Sequence, residues 1–178
     1  MREDHSGSLI DAIAKLAFDC FREPPWSDDH SLPRLHFGLG VDLMCRNAAA
    51  FLARDGSAGS VAGYSVGFEV FETSQDPRDP TLEAISGTAG LNHLFEGGKR
   101  LFYWDTLCVD PRFRRQRIAI RLARATMECL PEQGLSLLIA RTDRAALPMR
   151  RLLQRLKFRE LPVPDRRYPS RTYWLLEV

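Results

Sequence analysis

With 178 residues, 44% of them apolar, the chain can bury one sizeable core and is short for two ordinary domains, so a single domain over 1–178 is expected. A formal net charge of +2 argues against a nucleic-acid surface over the whole protein, because the basic character is local, with arginines concentrated after position 110. No apolar run approaches the ~20 residues that span a bilayer, and the polar Met1 to Ser8 start lacks a signal-peptide core, which predicts a cytoplasmic protein with no membrane or nucleic-acid partner.

Leu9 to Phe21 has amphipathic helical spacing and stops at Arg22-Glu23-Pro24-Pro25-Trp26, giving a helix over 9–22. A second helical stretch runs from Leu32 to Cys45, with Gly38 and Gly40 weakening its continuity. Ala48 to Arg54 and Ser60 to Glu72 read as antiparallel strands joined by Asp55-Gly56-Ser57-Ala58-Gly59, a loop with hairpin chemistry. Ser74 to Gly98 is a long connection rich in Pro, Gly and Asp, with room for a short helix near Thr81 to Ile85 or Leu91 to Phe95. Strand 100–109, helix 114–130, strand 135–142 and helix 145–156 follow, and two strands close the chain around Phe158 to Leu161 and Thr172 to Glu177. The alternation predicts an α/β architecture. Cys20, Cys45, Cys108 and Cys129 form no metal-ligand spacing and read as reduced thiols; His5, His30, His36 and His93 show no metal spacing either, so no metal is expected. His30, beside Asp28 and Asp29, is a candidate for the wall of a cleft or for a polar cap on the second helix.

The densest chemical signal is Val109-Asp110-Pro111-Arg112-Phe113-Arg114-Arg115-Gln116-Arg117-Ile118-Ala119, which joins a strand to a helix. The first N–H groups of a helix have no partner inside it and its dipole is positive there, so this turn is suited to an anion such as a pyrophosphate. Arg112, Arg114, Arg115 and Arg117 add charge. A phosphate site and a merely solvated basic helix start both fit these residues.

Val109, Pro111, Arg114 and Ala119 fit the pattern Val-x-Pro-x-x-Arg/Gln-x-x-Gly-x-Gly/Ala, and the chain therefore resembles the GNAT superfamily of N-acetyltransferases. Arg117 stands where that pattern has its first Gly. The segment Ala146 to Phe158 is similar to the GNAT helix Asn-x-x-Met/Ala-x-x-Leu-Tyr-x-x-x-Gly-Phe, with Ala146 for Asn, Leu153 for Tyr and Lys157 for Gly. The resemblance covers roughly residues 9 to 178. It implies a GNAT fold, a central mixed twisted sheet of about six to seven strands flanked by about four helices, although the family's usual first strand is not evident in Met1 to Ser8.

The resemblance also implies acetyl-CoA as cosubstrate. The amides of the turn, with Arg114, Arg115, Gln116, Arg117, Ile118, Ala119 and Ile120, would bind its pyrophosphate, and Leu107, Cys108 and Val109 would pair with the pantetheine where strands 101–109 and 135–142 splay. The attacking amine must be neutral, so a carboxylate belongs near that strand. Asp105 is the candidate, many GNAT members having a carboxylate at its position; strand alternation puts it on one face with Tyr103, Leu107 and Val109. Glu69 and Glu72 on the preceding strand are weaker candidates, as carboxylates on an antiparallel edge are usually solvated. Leu153 cannot protonate the leaving thiolate, which leaves Tyr103, Tyr168 and Tyr173 as substitutes or as packing. Cys108 as a nucleophile lacks a neighbouring His.

Two functions are weighed: an N-acetyltransferase acting directly on a primary amine of a small molecule or a peptide N-terminus, and a catalytically weak acyl-CoA-binding module serving as sensor or partner domain. A homodimer is open to either.

Overall fold

The computed structural model describes residues 5–26, 30–56, 59–73, 81 and 89–178. Their sheet has six strands in the order β1-β2-β3-β4-β6-β5: β1 (Ala49–Arg54), β2 (Val61–Val70), β3 (Leu101–Val109), β4 (Leu137–Asp143), β5 (Arg159–Leu161) and β6 (Arg171–Glu177). Only β3 and β4 run parallel; every other neighbour is antiparallel. Among the described residues four α-helices flank it, α1 (His5–Phe21), α2 (Leu32–Met44), α3 (Ile118–Cys129) and α4 (Leu147–Arg155). Among the described residues no strand precedes α1.

The two faces of the sheet bury different sets of side chains. On one, Ile13, Leu16 and Ala17 of α1 and Leu39 of α2 pack on Tyr64, Val66 and Cys108. The same face continues through Phe68, Tyr103, Ile139 and Tyr173, which meet Leu91 and Leu94 of a 3-10 segment over Ala89–Gly98. That segment occupies the second of the two places where sequence left room for a helix. The first, Thr81 to Ile85, lies outside the described residues except for Thr81, which bridges to Phe71. The other face is covered by Ala123 and Leu130 beside α3 and by Leu153 and Leu156 beside α4, packed on Phe102, Trp104, Leu138 and Trp174.

Gly38 and Gly40 do not interrupt α2, because the helix is anchored by Leu39 in the core and begins with a cap, Ser31 Oγ accepting from the Arg34 amide at 3.4 Å. The cap is therefore Ser31 and not His30, whose ring stands edge-on to Phe21 at 6.1 Å. Helix 114–130 begins only at Ile118. The four residues before it form a turn in which Arg115 and Arg117 take positive φ, a shape the apolar periodicity does not register.

A bulge interrupts the β2–β3 ladder. Val66 pairs with Thr106 and Gly67 with Trp104, so Asp105 is an extra residue with no partner on β2. Beyond it the alternation changes phase. Tyr103 faces the α1/α2 side, but Leu107 packs with the α3/α4 core and Cys108 returns to the α1/α2 side. The expectation that Asp105 shares a face with Leu107 and Val109 is thus corrected: uninterrupted period-two alternation does not hold across an inserted residue.

Candidate functional site

The site begins where β3 and β4 part. Their pairing runs Leu101–Leu137, Phe102–Leu138, Tyr103–Ile139 and Trp104–Ala140, then stops, although β3 continues to Val109 and β4 to Asp143. β4 keeps its full ladder with β6. The segment Asp105 to Val109 therefore has its β4-facing backbone groups unpaired by that strand, and a wedge opens between the strands. Leu107, Cys108 and Val109 lie along this free edge.

At the mouth of the wedge the chain turns into α3. Asp110 closes the first part of the turn: its Oδ1 accepts from the Arg112 amide at 2.8 Å, and its carboxylate pairs with the Arg112 guanidinium at 2.7 Å, which holds it below the usual carboxylate range. Arg114 is committed to the protein, its Nε donating to Val109 O at 3.1 Å and its Nη1 to Glu23 Oε2 at 2.7 Å. Its guanidinium ties the turn to the end of α1. The carbonyl that accepts from it is the last of β3.

After Arg114 the backbone alternates, with Arg115 at φ 67° and Arg117 at φ 63°. Arg117 is the N-cap of α3 and makes no side-chain cap bond, and both side chains are exposed. The amides of Ile118, Ala119 and Ile120 then open the helix without intrahelical partners, beside a positive helix end. Arg117 thus adopts the left-handed backbone that glycine takes without cost, at roughly 1–2 kcal/mol of strain. Lys157, the other substitution for Gly, does the same at φ 69° after α4. Arg117→Gly is expected to raise the stability of the free protein by up to about 1 kcal/mol in urea unfolding. The same change is expected to weaken coenzyme A binding by about 1–3 kcal/mol in calorimetry, the value of a charge-assisted hydrogen bond. Tighter binding in the variant would show that the side chain obstructs.

At the inner end of the wedge stands Asp105. It is open to the cleft, yet the protein crowded around it withdraws water from the carboxylate and raises its pKa, an effect opposed by the Thr106 hydroxyl and by the charges of Arg141 and Arg171. Thr106 Oγ1 donates to Asp105 Oδ2 at 2.7 Å. Across from it is a second carboxylate that the sequence reading missed. Asp42 follows Leu35 and Leu39 on α2 at helical spacing, and those leucines pack on Tyr64, Val66 and Cys108, so Asp42 faces the sheet. Burial and the charge of Asp105 push it up to about 8. The only sequence signal was an Asp on the leucine face of a helix, which period alone does not connect to Asp105.

The remaining wall is aromatic and cationic. The Arg171 guanidinium lies 4.1 Å from the Tyr168 ring centroid and 5.4 Å from that of Trp26. Arg141, mostly buried, pairs with Asp165 at 3.3 Å, and Tyr173 donates its hydroxyl to the same carboxylate at 3.0 Å. Tyr103 and Tyr173 are buried in the core, and Tyr168 is half exposed against Arg171. Leu153 is fully buried among core side chains and lines nothing.

Glu69 is corrected. β2 lies between β1 and β3 and is not an edge, and Glu69 is 3% exposed, held by Arg100 at 2.7 Å and Asn47 at 2.6 Å. These partners draw its pKa down against the cost of burial. It is ion-paired with Arg100 and stands opposite Phe102 of β3. Glu72 lies past the end of β2 and is exposed. The Cys108 thiol is buried and its pKa is raised well above the ordinary value, first by its hydrogen bond with Cys20, so it is not a standing thiolate of the kind that would take the acetyl group from a thioester. His36 meets Asp11 at 3.2 Å and His93 its own turn at Gly90 O, both away from the wedge.

The sequence matches the profile of the acetyltransferase (GNAT) family over residues 10–158. No curated protein is matched at the level of sequence. Similar solved structures include an N-acetyltransferase from Staphylococcus aureus Mu50, with TM-score 0.64, 13% identity and coverage of 96% of this chain and 93% of that one. Arabidopsis thaliana NAA60 in complex with acetyl-CoA gives TM-score 0.62 at 12% identity, covering 94% of each chain. An aminoglycoside acetyltransferase from an uncultured soil metagenomic sample gives TM-score 0.57 at 18% identity, covering 86% of this chain and 82% of that one. Among the described residues no helix is long and apolar enough to cross a membrane.

Proposed function

Because this chain belongs to the GNAT family of acetyltransferases, we propose that it moves an acetyl group from acetyl-CoA to a primary amine by direct attack, with Asp105 accepting the amine proton. The observation that carries this reading is the coincidence, on one strand, of an amide-lined helix start, an unpaired edge over Asp105 to Val109 and a carboxylate at the inner end of that edge. The residues fit the cosubstrate. The amides from Arg115 to Ile120 suit a pyrophosphate, the exposed Arg115 and Arg117 add positive charge, and the free edge at Leu107, Cys108 and Val109 suits the amides of a pantetheine arm. When bound, acetyl-CoA supplies an activated acyl carbonyl. A backbone N–H on the free edge of β3 stabilises charge developing on that carbonyl oxygen.

The acceptor enters from the α2 side as a cation. The Asp105 carboxylate, exposed on that side, attracts the cation, and Trp26, Tyr168 and Arg171 frame it. Burial and the charge of Asp105 keep Asp42 protonated below about pH 8, so Asp105 is the member of the pair that takes the proton. Among solved structures of similar fold, the NatC complex was crystallised with a Gag peptide and CoA, and the soil enzyme is named for aminoglycosides. Both a peptide N-terminus and a small-molecule amine therefore belong in the acceptor screen.

Acetyl-CoA at about 100 times its dissociation constant is expected to stabilise the protein by ~2.7 kcal/mol, read as a rise in melting temperature. Release of CoA on adding an amine panel tests catalysis separately. A thermal shift without CoA release from any amine would favour the acyl-CoA-binding module instead, a reading supported by Leu153, which puts no hydroxyl near a leaving thiolate. No shift and no binding heat would remove both.

A further inference from the structure

Cys20 and Cys108 are distant in sequence, yet the fold brings them together in one cluster between α1 and β3. Cys108 is buried at 4% exposure, whereas Cys20, one residue from the end of α1, is half-buried. Cys20 Sγ points at Val109 O at 3.7 Å, and the same carbonyl accepts Arg114 Nε at 3.1 Å. A thiol, its partner thiol and a guanidinium thus converge on the last residue of β3. The other two cysteines are differently placed, each donating to a carbonyl one turn earlier, Cys45 to Val41 O at 3.4 Å and Cys129 to Thr126 O at 3.1 Å.

We propose that Cys20 and Cys108 form an oxidant-sensitive dithiol that closes to a disulfide, tying the end of α1 to β3. Cys20 is the attacking member because it is the more accessible of the two. The hydrogen bond from Cys108 and the charge of Arg114 lower its pKa against the opposing effects of burial and Glu23, while Cys108 keeps its proton. The oxidant is a peroxide. The Cys20 thiolate attacks one peroxide oxygen, the O–O bond breaks, and the departing hydroxide takes up a proton as water, leaving a sulfenic acid on Cys20. The Cys108 sulfur then attacks the Cys20 sulfur, the S–O bond breaks, and hydroxide leaves with the Cys108 proton as a second water. Two thiols are oxidised to one disulfide and one peroxide is reduced to two waters.

The test uses the full chain with all four cysteines. Protein treated with hydrogen peroxide at neutral pH, alkylated with N-ethylmaleimide and digested without reductant is expected to give a linked Cys20–Cys108 peptide lighter than its two halves by two hydrogen atoms. In the reduced protein Cys20 should alkylate faster than Cys129, whose pKa burial raises. The bridge closes a loop of roughly half the chain, so the oxidised protein should melt about 5 °C or more above the reduced form and return with dithiothreitol. Cys20→Ser should abolish all of this, and in Cys108→Ser, Cys20 should proceed to sulfinic acid. Oxidation of the wild type that ends at sulfinic acid on Cys20, a linked product that does not melt higher, or Cys20 alkylating no faster than Cys129 would each overturn the proposal.

Discussion

Replacing Asp105 by Asn is expected to lower turnover by roughly 10²–10⁴-fold while leaving acetyl-CoA affinity within about twofold of wild type, because the carboxylate serves the amine and not the cofactor turn. Raising the pH should restore part of the rate, since an amine that loses its proton to solvent no longer needs a base. The partner carboxylate makes the prediction sharper. In the wild type, kcat/KM should rise through a limb near pH 8 as Asp42 ionises and strengthens the negative field around Asp105. Asp42→Asn should remove that limb and keep cofactor binding.

The same group leaves a mark on stability, and its sign is fixed. A raised carboxylate pKa means that the native state holds a proton which the unfolded state has already released, so stability falls as pH rises from about 4 towards about 8. Asp42→Asn should therefore stabilise the protein more at pH 8 than at pH 5. If Asp105 were only structural, Asp105→Asn would lower the melting temperature with turnover per folded molecule near wild type. Matched kinetic and unfolding measurements separate these outcomes.

Gly67→Ala is expected to destabilise the fold by about 3 kcal/mol or more, at the upper end of overpacking costs. Gly67 is the residue facing Trp104 at the bulge, and a methyl group there would run into the Phe102 ring and come within 2.5 Å of the Tyr103 carbonyl. Neither can retreat easily. Phe102 is fully buried, and the neighbouring Trp104 is held by Nε1 donating to Ser65 Oγ at 2.8 Å, which in turn bonds Thr126 of α3 at 2.8 Å. The chain would have to straighten the ladder, which removes the bulge that turns Asp105 into the cleft. A urea midpoint unchanged in Gly67→Ala would show that the close contact is easily relieved.

The course of the chain was readable because its signals are local. Strand runs such as Leu101 to Val109, the leucine spacing of α1 and the apolar stripe of α3 each register their own period within a dozen residues. The basic turn was readable for the same reason, although its pattern of residues did not show that Arg114 bonds Glu23 and the Val109 carbonyl. What escaped depends on pairing. The bulge at Asp105 exists only in the register between β2 and β3, and Asp42 meets Asp105 only because α2 lies across the sheet. The burial of Glu69 followed from its strand being interior, which strand order decides and spacing along the chain does not.

The parting of β3 and β4 carries a further consequence for solvent exchange. An interior strand ordinarily has its amides locked on both sides, and the locked ones exchange only on global unfolding. From Asp105 to Val109 the amides turned towards β4 lack that lock, while those turned towards β2 keep it at Thr106 to Val109. Deuterium uptake along this strand should therefore be fast and slow in turn, and a ligand lying in the wedge would silence only the fast set. The strand at the centre of the sheet thereby reports its own occupancy, residue by residue, without any added label.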